Sequence, residues 1–175
     1  MPKIIENLRD RLLDEAINQI NNNGYGKTTV RSIAKACGVG VGTVYNYFES
    51  KDMLIATFML DDWKKCIDGI AKDGSLDPET LLRSIYNALQ GYIKKYDKLF
   101  NDSDAVVAFS MAFSDKHNLL RSQISALIFD MCAQFDRENK GFLADFVAEA
   151  LITWTVAEKP FEDIYGILSK LLKTN

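Results

Sequence analysis

Between Thr28 and Ser50 the sequence carries two apolar stripes of helical period, separated only by Gly38, Val39 and Gly40. Val30, Ile33, Ala34 and Cys37 recur at i, i+3, i+4 and i+7, which predicts a buried face on a helix over about 29–36. Gly38 stands where a chain turning sharply between two helices needs positive φ, and Gly40 can begin a third helix running through about Phe48. In that third helix Val41, Val44 and Phe48 point inward, while Gly42, Thr43, Asn46 and Tyr47 point outward. Two such short helices have little stability of their own, so the segment must pack against neighbours to exist at all.

Those neighbours are helical as well. Leu8, Leu12, Leu13, Ala16, Ile17 and Ile20 form an amphipathic stripe that predicts a first helix over roughly 4–22, ending at Asn21, Asn22, Asn23 and Gly24. Thr28 or Thr29 is placed to cap the second helix. After Ser50, a second capping residue, an uninterrupted pattern runs from Met53 to about Lys72. The stretch KDGSLDP breaks it, with Asp77 a cap and Pro78 in the first helical position. Further helices are expected over 78–98, 104–115, 118–137, 142–158 and 160–173, with a break around His117. No strand pattern competes, so the expected fold class is all-α. The expected division is an N-terminal three-helix unit over 1–51 and a C-terminal helical region over 52–175.

Composition narrows the function classes. No run of 18 or more uncharged apolar residues occurs, and the start MPKIIENLRDRLLDEA is charged and amphipathic. A cytoplasmic protein with no membrane partner is the expectation. The three cysteines, Cys37, Cys66 and Cys132, are far apart and never form CxxC, which argues against a disulfide framework and a zinc site. His117 is the only histidine, and no phosphate-binding glycine loop occurs. Neither an enzyme, nor a metal site, nor a resident cofactor is therefore expected. The net charge is −3, yet residues 1–51 hold seven basic and five acidic side chains, leaving +2 there and −5 in the remainder. That asymmetry has the sign needed for an N-terminal contact with DNA.

A short helix, a glycine turn and a second short helix with small and aromatic outward residues form a helix-turn-helix pattern, whose second helix enters the major groove. The groove is about 12 Å wide, and small side chains let the backbone approach the base edges, as Gly42 and Thr43 do. The run GYGKTTVRSIAKACGVGVGTVYNYFESKDML, with its TTVRSIA start, its GT-V-Y-x-YF helix and the following SK-x-x-L, strongly resembles the tetracycline-repressor (TetR) family from Leu12 to about Phe58. The resemblance implies that Thr29 and Arg31 sit near the backbone or groove edge, and that Val41, Gly42, Thr43 and Asn46 face the bases. Tyr45, Tyr47 and Lys51 would chiefly clamp phosphates. This division agrees with the chemistry, since hydroxyl and ammonium groups suit phosphate oxygens and an Asn amide can pair with adenine. Gly40 and Val41 depart from the family, which often has a serine-like cap and a lysine or proline there.

For residues 52–175 the resemblance implies dimerisation and a ligand cavity. A palindromic operator on double-stranded DNA requires two recognition helices about 34–36 Å apart, hence a two-fold homodimer. Phe142, Phe146, Ala150, Ile152 and Trp154, then Ile164, Ile167, Leu168, Leu171 and Leu172, place the expected dimer contact at about 142–173. The alternative is that these side chains only close the monomer core. Phe58, Met59, Trp63, Tyr86, Tyr92, Tyr96, Phe100, Phe109, Met111, Phe113 and Met131 are candidates to line a pocket for an apolar or aromatic small-molecule effector, or are plain core. The resulting expectation is a dimeric sequence-specific regulator, a repressor released by an effector. The competing reading is a helical interaction protein, which calls for an acidic or apolar outward face on residues 42–47.

Overall fold

The structure, a computed structural model, describes residues 7–75, 77–135 and 138–172. Among these residues every regular element is an α-helix. In chain order they are α1 (Leu8–Asn23), α2 (Val30–Cys37), α3 (Val41–Tyr45), α4 (Lys51–Asp73), α5 (Pro78–Lys95), α6 (Asp97–Phe100), α7 (Ser103–Cys132), α8 (Lys140–Val156) and α9 (Phe161–Leu172). No described helix is long and apolar enough to cross a membrane.

The chain forms two compact units. The first runs up to Trp63 and takes in Tyr96–Met111; the second comprises Lys64–Lys95 and the chain from Ala112 onward. In the first, the α1 stripe of Leu12, Leu13, Ala16, Ile17 and Ile20 is buried with Ile33, Ala34, Val44 and Phe48. Leu54, Ile55, Met59, Trp63, Tyr96 and Leu99 are buried in the same unit. Val30, expected in that core, is only half-buried because it occupies the first position of α2, at the edge of the packed face. In the second unit α5 packs against α8 and α9, and Leu82, Ile85, Ile128, Leu151 and Leu168 are almost fully buried.

The expected stops at Gly24, Gly38, Asp77 and the Lys159–Pro160 dipeptide are all present. Asp77 accepts the Thr80 N–H at 2.9 Å and Ser50 accepts that of Met53 at 3.1 Å, so α5 and α4 are capped as anticipated. Other expected boundaries are not met, the helix expected to reach 137 ending at Cys132 among them. The break at His117 does not occur, and α7 continues to Cys132. The polar run SDKHN contains neither glycine nor proline, and its residues cost a helix only tenths of a kcal/mol each, up to about 0.7. Conversely, the helix expected over 78–98 ends at Lys95 and a separate turn, α6, follows. Tyr96 is 2% exposed, and its hydroxyl donates to Asp62 at 3.1 Å, so tertiary packing fixes a backbone that local sequence would have continued.

The thiols are graded by burial. Cys132 is fully buried, which pushes its pKa up to about 11, and burial also raises that of Cys37. Cys66 is only half-buried. Since the thiolate is the reactive species, Cys66 is expected to react with Ellman's reagent at pH 8 well before the other two. Retention of the fast phase in Cys66→Ser would contradict this order.

Candidate nucleic-acid interface

The local geometry of α2 and α3 follows from their ends. Thr29, in extended backbone, accepts the Ser32 N–H at 3.0 Å, while the Ser32 hydroxyl accepts the Thr29 N–H at 3.1 Å, a reciprocal capping box. Of the two threonines offered by the sequence, Thr29 is therefore the cap. Thr28 is fully buried instead and donates its hydroxyl to the Gly24 carbonyl at 2.9 Å. At the other end Gly38 takes φ 71°, and Val39 N–H reaches back to the Ala34 carbonyl at 2.9 Å. This left-handed closure turns the chain into α3 within three residues. Gly40 begins α3 with no side-chain cap. The helix proper is Val41–Tyr45, and helical hydrogen bonds continue as far as Phe48, whose N–H donates to the Val44 carbonyl at 3.0 Å.

Val44 is fully buried and Phe48 nearly so, and this pins one side of α3 to the core. The other side is open. Gly42 and Asn46 are exposed, Val41 and Thr43 are half-buried, and Tyr45 and Tyr47 are 53% and 49% exposed. A Cβ built on Gly42 would meet no atom within 4 Å, so the fold itself does not demand glycine there. Thr29 and Arg31 are exposed at the start of α2, with Lys35 one turn beyond Arg31. The outward surface over 42–47 carries no acidic residue.

Lys51 has a more committed position than the sequence suggested. Its ammonium donates to the Tyr25 carbonyl at 3.0 Å and lies 3.5 Å from the centroid of the Tyr25 ring. Burial lowers its pKa, while the carboxylates of Asp52, Asp102 and Asp104 act in the opposite direction. Tyr25, which sequence reasoning passed over, is 6% exposed and donates its hydroxyl to Asp52. Its phenol pKa is raised, chiefly by burial and then by that hydrogen bond. The only sequence signal for this role was an aromatic between two glycines, GYG. Among the described residues no group of acids, histidines and cysteines is arranged to hold a metal.

The pocket candidates whose side chains are described are divided between the two units. Met59, Trp63 and Tyr96 belong to the first unit, Tyr86 and Met131 to the second, and the side chains of Phe109, Met111 and Phe113 lie outside those described. A surface cleft in the second unit is polar, lined by residues that include Asp77, Thr80, Arg83, Asn87 and Tyr165.

Residues 12–57 match the sequence profile described as bacterial regulatory proteins, tetR family. The chain is 32% identical over 59 residues to the HTH-type transcriptional regulator UidR of Escherichia coli, covering 34% of this chain and 30% of that protein. It is 37% identical over 57 residues to the HTH-type transcriptional repressor KstR2 of Mycolicibacterium smegmatis, covering 31% of this chain and 28% of that protein. The matched segments thus span about a third of these relatives' length. Its fold resembles the crystal structure of a TetR-family regulator from Syntrophomonas wolfei, with a TM-score of 0.65 at 18% identity over 95% of this chain and 93% of that one.

Gly38→Ala is expected to destabilise the protein by about 1–2 kcal/mol, since an L-residue must then hold the left-handed conformation. Thermal unfolding measures this, and an unchanged or higher Tm would show that the turn relaxes to another geometry.

Proposed function

We propose, from the match of residues 12–57 to the profile of bacterial regulatory proteins of the tetR family, that the chain is a dimeric, sequence-specific DNA-binding transcriptional regulator, and a repressor released by a small-molecule effector. The observation that carries the DNA reading is the open face of α3. It has an inner side locked by Val44 and Phe48, and an outer side with an exposed glycine, a threonine, an asparagine and two half-exposed tyrosines. A buried anchor with a small-residue tip suits a helix that enters a major groove. In this reading Val41, Gly42, Thr43 and Asn46 face base edges, and Thr29, Arg31, Tyr45, Tyr47 and Lys51 meet the sugar-phosphate backbone or the groove edge. Thr29 serves its helix as a cap at the same time, because a hydroxyl that accepts one hydrogen bond still carries a proton to donate.

Dimerisation is assigned to the last two helices. Of the apolar residues nominated there, Ala150, Ile152, Ile164, Leu168 and Leu172 are buried within the second unit. Phe142, Phe146, Ile167 and Leu171 remain exposed, at 77%, 48%, 57% and 45%. Val156 extends the α8 stripe at 61% exposure. Spacings of four residues place each pair on one helix face, and two copies of such a face bury each other. Repression follows from occupancy, since a dimer on an operator excludes polymerase, and one of the similar proteins is named as a repressor. An effector acts only through unequal affinity for operator-competent and incompetent conformers. The functional halves are 1–51 for DNA and 52–175 for dimerisation and effector response.

Selection of bound oligonucleotides from a random DNA pool at roughly physiological salt tests the reading. The expected result is a palindrome with half-sites about one helical turn apart. Failure to enrich any sequence, with or without added effector candidates, would favour a helical protein-interaction module. Gly42→Ala should separate folding from function by sign. It is expected to stabilise α3 by up to about 1 kcal/mol, yet to weaken operator binding through the added methyl group; unchanged affinity would remove Gly42 from the interface. Phe146→Asp together with Ile167→Asp should shift the protein to monomer in sedimentation equilibrium, and a persistent dimer would place the interface elsewhere.

A further inference from the structure

The turn between α1 and α2 is held by a residue far along the chain. Asp102, just ahead of α7, uses its two carboxylate oxygens for different tasks. Oδ2 accepts the main-chain N–H of Tyr25 at 3.1 Å, and Oδ1 accepts the N–H groups of Asp104 and Ala105 at 3.0 and 3.2 Å, capping α7. From the same segment, Lys98 donates to the Asn21 carbonyl at the end of α1 at 2.7 Å. The fit is close, since a Cβ on Gly26 would come within 2.9 Å of Asp104 Oδ2. With Lys51 on the Tyr25 carbonyl and Asp52 on its hydroxyl, the N–H, C=O and phenol of Tyr25 are all engaged. Three residues later Thr28 donates its N–H to the same Tyr25 carbonyl at 3.1 Å, and Thr29 starts α2.

We propose that Asp102 is a positioning residue for DNA binding: by holding the Tyr25 N–H it fixes the turn that sets where α2 begins, and so where α2 and α3 meet the groove. The proposal rests on the DNA-binding reading above. It makes a prediction opposite to simple electrostatics, because removing an acidic charge near a polyanion should otherwise strengthen binding or leave it unchanged.

Asp102→Ser tests it, since serine is a good helix cap but too short to serve α7 and Tyr25 together. Against the operator obtained by selection, fluorescence anisotropy should show a loss of roughly ten-fold, as when the turn competent for binding falls to about a tenth of the population. The slope of log affinity against log salt should stay that of wild type, since no phosphate contact is lost. Tm should remain above that of Asp102→Ala, and the Tyr25 amide should exchange faster with deuterium. Asp104→Asn removes the same charge but leaves the Tyr25 bond, and is expected to bind at least as tightly as wild type. Wild-type affinity in Asp102→Ser, or an equal loss in Asp104→Asn, would overturn the positioning role while leaving the DNA reading intact. A wild-type protein that selects no operator would overturn both.

Discussion

A helix of five residues cannot exist by itself in water, because its nucleation cost exceeds what so few hydrogen bonds return. α3 is such a helix, without even a side-chain cap at Gly40. It persists because Val44 and Phe48 are driven into the core formed by the α1 stripe and by Ile33 and Ala34, and because Gly38 closes α2 in a left-handed turn that aims the chain across it. The surface proposed to read DNA therefore has no independent stability; its shape is inherited from the apolar contacts behind it. That separation suits a reading head, since the outer residues can vary while the inner ones hold the helix in place.

Charge plays a subordinate and local part. The N-terminal segment has only a small positive excess, and some of its cations are already engaged. Arg9 pairs with Asp61 at 2.8 Å and Arg11 donates to the Cys37 carbonyl at 3.3 Å, while Lys51 gives one of its three donors to the Tyr25 carbonyl and keeps the others for the proposed phosphate contact. The exposed pair Arg31 and Lys35, four residues apart on α2, is better placed to meet phosphates. Exposed ion pairs such as Arg9–Asp61 add at most about 1 kcal/mol; in the proposed DNA reading their effect is on which cations remain available to phosphates.

Much of the framework was legible because it rests on local rules. The α1 stripe, the caps at Ser50 and Asp77, the positive φ at Gly38 and the inward Val44 and Phe48 all follow from periodicity and backbone stereochemistry. Where polarity was taken as punctuation, the reading failed: SDKHN stayed helical within α7. Where an apolar helix seemed set to continue, burial of Tyr96 and its bond to Asp62 ended α5 early. The terminal apolar stripes were recognisable, but their division into inward Ile164 and Leu168 and outward Ile167 and Leu171 is a matter of helix rotation against α5 and α8, which a list of hydrophobic residues does not contain.

The sequence by itself determined an all-helical chain, the helix-turn-helix and the residues on its open face, because each depends on side chains within a few positions of one another. Only the tertiary structure decided that Lys51 is bound to Tyr25, that Thr29 and not Thr28 is the cap, and that Asp102 grips a turn 77 residues away. A hydrogen bond between distant segments leaves no periodic trace in either. It appears only when packing has brought an N–H out of water and a carboxylate within its reach.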